Sequence, residues 1–130
     1  MKFKCYGLDR TSAKKRLAHV SVSGKGRIIL TAGAVALIKK VLPKGGAEFM
    51  FGNDEAYPDD WYIIAPQPGC EPFPLNADRR GHAYLANRVL ADRLFALAPT
   101  PGASLIRIPI KVAKDGHMLS LETKKIKVIK

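Results

Sequence analysis

The chain has 130 residues, 47% of them hydrophobic, with a mean hydropathy of −0.05, which excludes a wholly disordered chain and is enough for one domain with a real core. Lys and Arg number 22 against 11 Asp and Glu, a formal net charge of +11 that makes a polyanion, nucleic acid first, the partner to consider. No stretch is long and apolar enough to span a bilayer, and Met1-Lys2-Phe3-Lys4 is not followed by an apolar run, so neither a membrane partner nor a secretory signal is expected, and the expected location is cytoplasmic.

Charge is sorted along the chain. Residues 1–44 carry +10, 45–78 carry −7 with no Lys or Arg, 79–98 carry +3 and 99–130 carry +5. Residues 1–16 read as a basic arm ending in Ala13-Lys14-Lys15-Arg16, and 17–130 as a single α+β domain. His19-Val20-Ser21-Val22-Ser23 alternates, Gly24-Lys25-Gly26 supplies turn residues and Arg27 to Leu30 continues as strand, so 17–30 is a predicted hairpin. Thr31 caps a helix of about ten residues whose apolar face is Ala34, Leu37, Ile38 and Val41, closed by Pro43 and Gly45-Gly46.

Strands follow at Ala47–Phe51 and Trp61–Ala65, and Phe73 with Leu75 form an edge strand that Pro72 and Pro74 keep short. A turn through Asp78-Arg79-Arg80-Gly81 leads to a short strand at His82–Leu85. Asn87 caps a second helix with Val89, Leu90, Leu94 and Leu97 along one side, stopped by Pro99 and Pro101. Ser104–Val112 and Met118–Val128 form a last hairpin around Lys114-Asp115-Gly116. The predicted order is ββα, ββββα, ββ: an antiparallel curved sheet with two helices, which joined end to end makes two ββββα halves.

The chemistry-bearing residues are mostly cations. Lys14, Lys15, Arg16, Lys25 and Arg27 cluster at the first hairpin, and Lys124, Lys125 and Lys127 end the last, where Lys125 and Lys127 alternate with Ile126 and Val128. Long cations on a twisted sheet can follow the phosphates of a duplex or a single strand; a solvated face is the alternative. Six of the ten aromatics, Phe49, Phe51, Tyr57, Trp61, Tyr62 and Phe73, fall in the acidic block, which favours core or interface over base stacking for most, with Trp61 or Tyr62 left as a stacking residue at a rim. The acids 45–78 could face the basic block of this chain or of a second copy, giving a self-complementary homodimer.

His19 to Leu30, the following helix and Leu42-Pro43-Lys44-Gly45 resemble the swapped-hairpin DNA-binding domain of AbrB and MazE proteins, with Lys25-Gly26-Arg27-Ile28 standing where that family has its Lys-Gly-Gln-Ile turn. Thr31 replaces that family's Pro, and Gly46 stands in place of its Asp. The resemblance implies a dimer that touches DNA through Lys25 and Arg27. The order of elements is similar to that of the PC4, PUR and Whirly single-stranded DNA-binding proteins, in permuted form.

Pro58-Asp59 with Glu122-x-Lys124 is the pattern of a metal-dependent nuclease, at long separation; Asp59-Asp60 as a turn pair is the competing reading. Gly24-Lys25-Gly26 lacks the spacing of a phosphate loop. His19, His82, His117, Cys5 and Cys70 lack metal-ligand spacing, and the cysteines read as free thiols. The sequence therefore predicts a non-catalytic nucleic-acid-binding homodimer of regulatory type, without metal or cofactor, that grips phosphates through basic hairpins; a protein-interaction module is the alternative.

Overall fold

The computed structural model describes residues 2, 18–99 and 102–129, so the arm residues Lys14, Lys15 and Arg16 lie outside the described residues. β1 (His19–Ser23) and β2 (Arg27–Leu30) form the first hairpin, followed by α1 (Ala32–Val41), β3 (Glu48–Asn53), β4 (Trp61–Ile64), β5 (Phe73–Pro74), β6 (Ala83–Ala86), α2 (Arg88–Phe95), β7 (Leu105–Val112), β8 (Leu119–Leu121) and β9 (Lys127–Ile129). The predicted α+β order holds, with β8 and β9 as two halves of one hairpin arm.

All strands join one antiparallel sheet, ordered β5-β3-β4-β8-β7-β1-β2-β6, with β9 also paired to β7. The sheet curls until one short segment bridges its two ends. Phe73 and Pro74 pair with β3, Leu75 donates to the Ala47 carbonyl at 2.9 Å, and Ala77 bridges to Ala83 of β6. A sheet so nearly closed leaves little free edge, and the prolines at 72 and 74 shorten what is left.

Alternation decides what faces in. Val20 and Val22, Ile28 and Leu30, Ile106, Ile108 and Ile110, and Leu119 and Leu121 point into the core, where Ala34, Val35 and Ile38 of α1 and Ala91 and Leu94 of α2 meet them. The helices leave opposite ends of the sheet, α1 after Leu30 and α2 after Ala86, each held by its cap: Ala34 N donates to Thr31 Oγ1 at 3.3 Å and Leu90 N to Asn87 Oδ1 at 3.0 Å. Thr31 also accepts from His19 N at 3.1 Å, tying α1 to the start of β1. Val89 is 67% exposed, so the buried side of α2 runs through Ala91 and Leu94 rather than through Val89. No helix among the described residues is long and apolar enough to cross a membrane.

The last hairpin departs from the expected continuous strand. Between the pairs Ile110–Leu121 and Arg107–Lys127, residues 122–126 stand opposite Ile108 and Pro109 alone. The Ile110 N–H points to Ala18, across the β1 side, so the donor that Pro109 lacks is the one β8 and β9 would need. The arm bulges there into a short 3-10 turn, Thr123–Lys125.

Phe49, Phe51 and Phe73 cluster with ring centroids 5.9–6.3 Å apart and close β3 against β5. Before them, Pro43–Gly46 turns the chain through left-handed conformations at Lys44, Gly45 and Gly46. A Cβ on Gly46 would lie 2.6 Å from the Ile38 carbonyl oxygen, whereas one on Gly45 would meet nothing within 4 Å. Gly45→Ala should therefore cost only left-handed strain, about 1–2 kcal/mol. Gly46→Ala should cost roughly 3 kcal/mol or more, because backbone must also move. Urea unfolding of both variants checks this, and equal losses would contradict it.

Candidate nucleic-acid interface

The outer face of the sheet carries a trough whose floor is β1. Ser21 and Ser23 point outward between Arg27 and Ile29 of β2 on one side and Leu105 and Arg107 of β7 on the other. Serine is shorter than any of these neighbours, so the middle strand lies low and the flanking side chains form walls about 10 Å apart, two strand spacings. Ser21 is 8% exposed, as a floor residue should be. Toward the turn the trough widens into a depression of about 560 Å³ lined by Ser23, Lys25, Arg27, Ile29 and Leu105.

The hairpin turn is built to hold Lys25 and Arg27 there. Ser23 Oγ accepts from the backbone N–H of Lys25 at 3.3 Å and of Arg27 at 3.2 Å, while Gly26 adopts a positive φ of 88°. Arg88 packs against the same turn, with its Cδ 3.0 Å from where a Gly26 Cβ would stand, and pairs with Asp92 at 3.3 Å. On the far wall Arg107 lies opposite both Ser21 and Lys127 of β9. The buried Nε of Arg107 has no hydrogen-bond partner among the described residues. A buried guanidinium nitrogen left unpaired is costly, so the surroundings of Arg107 carry a strain that the packing of β7 offsets.

His19 stands at the other end of the trough, facing Arg107 and His82. Burial, then the charge of Arg107, then that of His82, push its pKa below the ordinary value of 6.5. Beside β2 on the same outer face, Tyr84 is paired with Ile29 and 57% exposed. The Tyr84 hydroxyl lies near the Asp78 carboxylate, which accepts from the backbone N–H of His82 and of Arg80, each at 2.9 Å. These donors, the His82 N–H first, hold the Asp78 carboxyl below its usual range.

The structure thus separates the predicted cations. Lys25, Arg27 and Lys127 share the outer face with Arg107, whereas the bulge opposite Pro109 carries Lys124 and Lys125 away from the trough. Lys125 Nζ pairs with Glu122 Oε2 at 3.2 Å, and Lys124 lines one depression with Asp59 and Asp60 and another with Asp60 and Glu122. Ile126 and Val128 pack against the core while Lys125 and Lys127 stay exposed, as the alternation predicts, but of the two lysines only Lys127 lies in a strand. Sequence reasoning overlooked Arg107 and Tyr84, although each is the sole large polar residue in an alternating run, Ile106-Arg107-Ile108 and Ala83-Tyr84-Leu85. Trp61 is 6% exposed and faces the core; Tyr62 is half-buried on the outer face beside Ser120.

Of the acidic block, Asp78 borders the outer face beside Tyr84, whereas the loop acids lie apart from the trough. Asp54, Glu55, Asp59 and Asp60 are exposed in the loop between β3 and β4, and among the described residues both ion pairs, Arg88–Asp92 and Lys125–Glu122, are local and involve none of the residues 45–78. Asp60 comes close to Glu122 and Lys124, but the described residues contain no group of three or more His, Cys, Asp or Glu placed to hold a metal ion. Comparison of the chain with protein-family models, with curated proteins and with solved structures gives no match.

The lowered pKa of His19 has a defined sign. The unfolded chain binds its proton more readily than the folded one, so stability is full above the unfolded value of 6.5 and is lost as pH falls through the lower folded value. The urea midpoint should drop between about pH 8 and about pH 5, and the drop should shrink in His19→Gln. A midpoint that rises on acidification over that range would contradict the assignment.

Proposed function

We propose that the protein binds nucleic acid, gripping backbone phosphates along the outer-face trough as a non-catalytic, regulatory-type module. The observation that carries this reading is the placement of Lys25 and Arg27 at one serine-floored depression, with Arg107 and Lys127 on the same outer face beside it and no acid among these outward positions. Uncompensated cations at close range repel each other and raise each other's affinity for a polyanion, which releases counterions on contact. Lys14, Lys15 and Arg16 supply further charge just ahead of β1. Four trough cations predict a slope of log affinity against log salt of about −3, and roughly a 50-fold loss between about 50 and 200 mM salt. Fluorescence anisotropy with a labelled oligonucleotide measures it. Arg27→Ala with Arg107→Ala should flatten the slope, Lys124→Ala with Lys125→Ala should leave it nearly unchanged, and absence of binding at low salt would refute the reading.

A second reading has its own support in the exposed, unpaired acids of residues 54–60. A basic face and an acidic loop on the same chain suit the association of two copies. Light scattering should then show a homodimer at low salt that dissociates as salt rises and is abolished by Asp59→Lys with Asp60→Lys. A mass of one chain at every salt concentration would remove it.

A further inference from the structure

We infer that the nucleic acid taken by this face is single-stranded, with one base stacked on Tyr84 and its neighbour seated in the trough between Ile29 and Leu105. The inference rests on the nucleic-acid reading above and adds the class of strand.

A face that meets only duplex phosphates needs cations and small polar groups, because the bases of a duplex are stacked inside it and turn no ring face outward. Here the outward rows carry both cations and apolar groups. Tyr84, Ile29, Ser21, Arg107 and Lys127 form one row across β6, β2, β1, β7 and β9, with its apolar groups at one end and its cations at the other, and Ala86, Arg27, Ser23, Leu105 and Ile129 lie beside them. A strand that offers anionic phosphates and flat apolar bases can use both kinds of side chain; a duplex can use only the cations.

The geometry supports both base positions. Tyr84 is 57% exposed on the outer face and paired through its backbone with Ile29, so a rigid strand presents the ring to a ligand. Asp78 discourages a phosphate from lying over the ring, which leaves the ring to a base. One strand further, the depression of about 560 Å³ has Ile29 and Leu105 as apolar sides, Ser23 as its floor and Lys25 and Arg27 at its rim. It is an open depression that combines two apolar residues with three polar ones, room for a flat base beside its phosphate. From Tyr84 to Lys127 the row spans four strand spacings, about 19 Å, which gives the chain room for several phosphates, two of them at Arg107 and Lys127.

The test compares three probes of equal length with the intact chain: oligothymidylate, an oligomer of abasic deoxyribose phosphates, and a duplex. Oligothymidylate should bind at least tenfold more tightly than either. Tyr84→Ala should lower its affinity about tenfold while leaving that of the abasic oligomer unchanged, because one base stacked on an aromatic ring contributes on the order of 1–3 kcal/mol. Tyr84→Phe, which keeps the ring and loses the hydroxyl, should retain most of the affinity, and ultraviolet crosslinking should attach oligothymidylate to the Tyr84 peptide in the unaltered protein. Equal affinity for the three probes with no effect of Tyr84→Ala would overturn the inference and leave the phosphate reading intact. Failure of every probe to bind at low salt would overturn both, and would favour an acidic protein segment for this face.

Discussion

β1 is hydrogen-bonded on both edges, to β2 and to β7, and its alternation of valine and serine determines which side of three strands meets the core. Side chains repeat every two residues, so a slip of one position would put Ser21 and Ser23 into the interior and turn Val20 and Val22 out to water. The registers of β2 and β7 follow from that constraint, with Ile28 and Leu30, then Ile106 and Ile108, packed beneath the same surface. Arg27, Ile29, Leu105 and Arg107 are thereby left on the outside as two walls. The core and the trough are consequences of one pattern.

Charge acts on top of this packing. A low strand between high ones would be a shallow groove on any protein; what distinguishes this groove is the set of cations around it and the distance of the loop acids 54–60 from it. The sheet carries residues 48–64 on strands at the other end of its path from β1, and the bulge opposite Pro109 takes Lys124 and Lys125 to that acidic side. Positive charge is thus concentrated where small side chains make room, and the lysines that leave are balanced where they go.

Much of this is legible in the sequence because the determinants are local. The His19–Ser23 alternation, the Asp115-Gly116 turn and the caps Thr31 and Asn87 each act within a few residues, and the structure places strands or helices at all of them. Lys25 and Arg27 are legible for the same reason, since the turn between β1 and β2 presents them. What the sequence hides is long-range. That Arg107 would stand beside Ser21 depends on a pairing across more than eighty residues, and Lys127 joins the face only because β9 resumes opposite Arg107 after the bulge. The bulge itself arises from a missing N–H on Pro109, a residue of the partner strand and so invisible to a reading of Lys124–Val128 alone. Val89 misleads because the apolar periodicity of α2 is shared between Val89 and Ala91, and only packing selects Ala91.

If the serine-floored face between β2 and β7 is the surface that meets nucleic acid, amide chemical-shift mapping during titration with oligothymidylate should show it. Shifts are expected at Ser21, Ser23, Lys25, Arg27, Ile29, Tyr84, Leu105 and Arg107, with little change at residues 53–60. Shifts concentrated instead around Asp54–Asp60 and Lys124, with the amides of β1 and β7 unmoved, would contradict it.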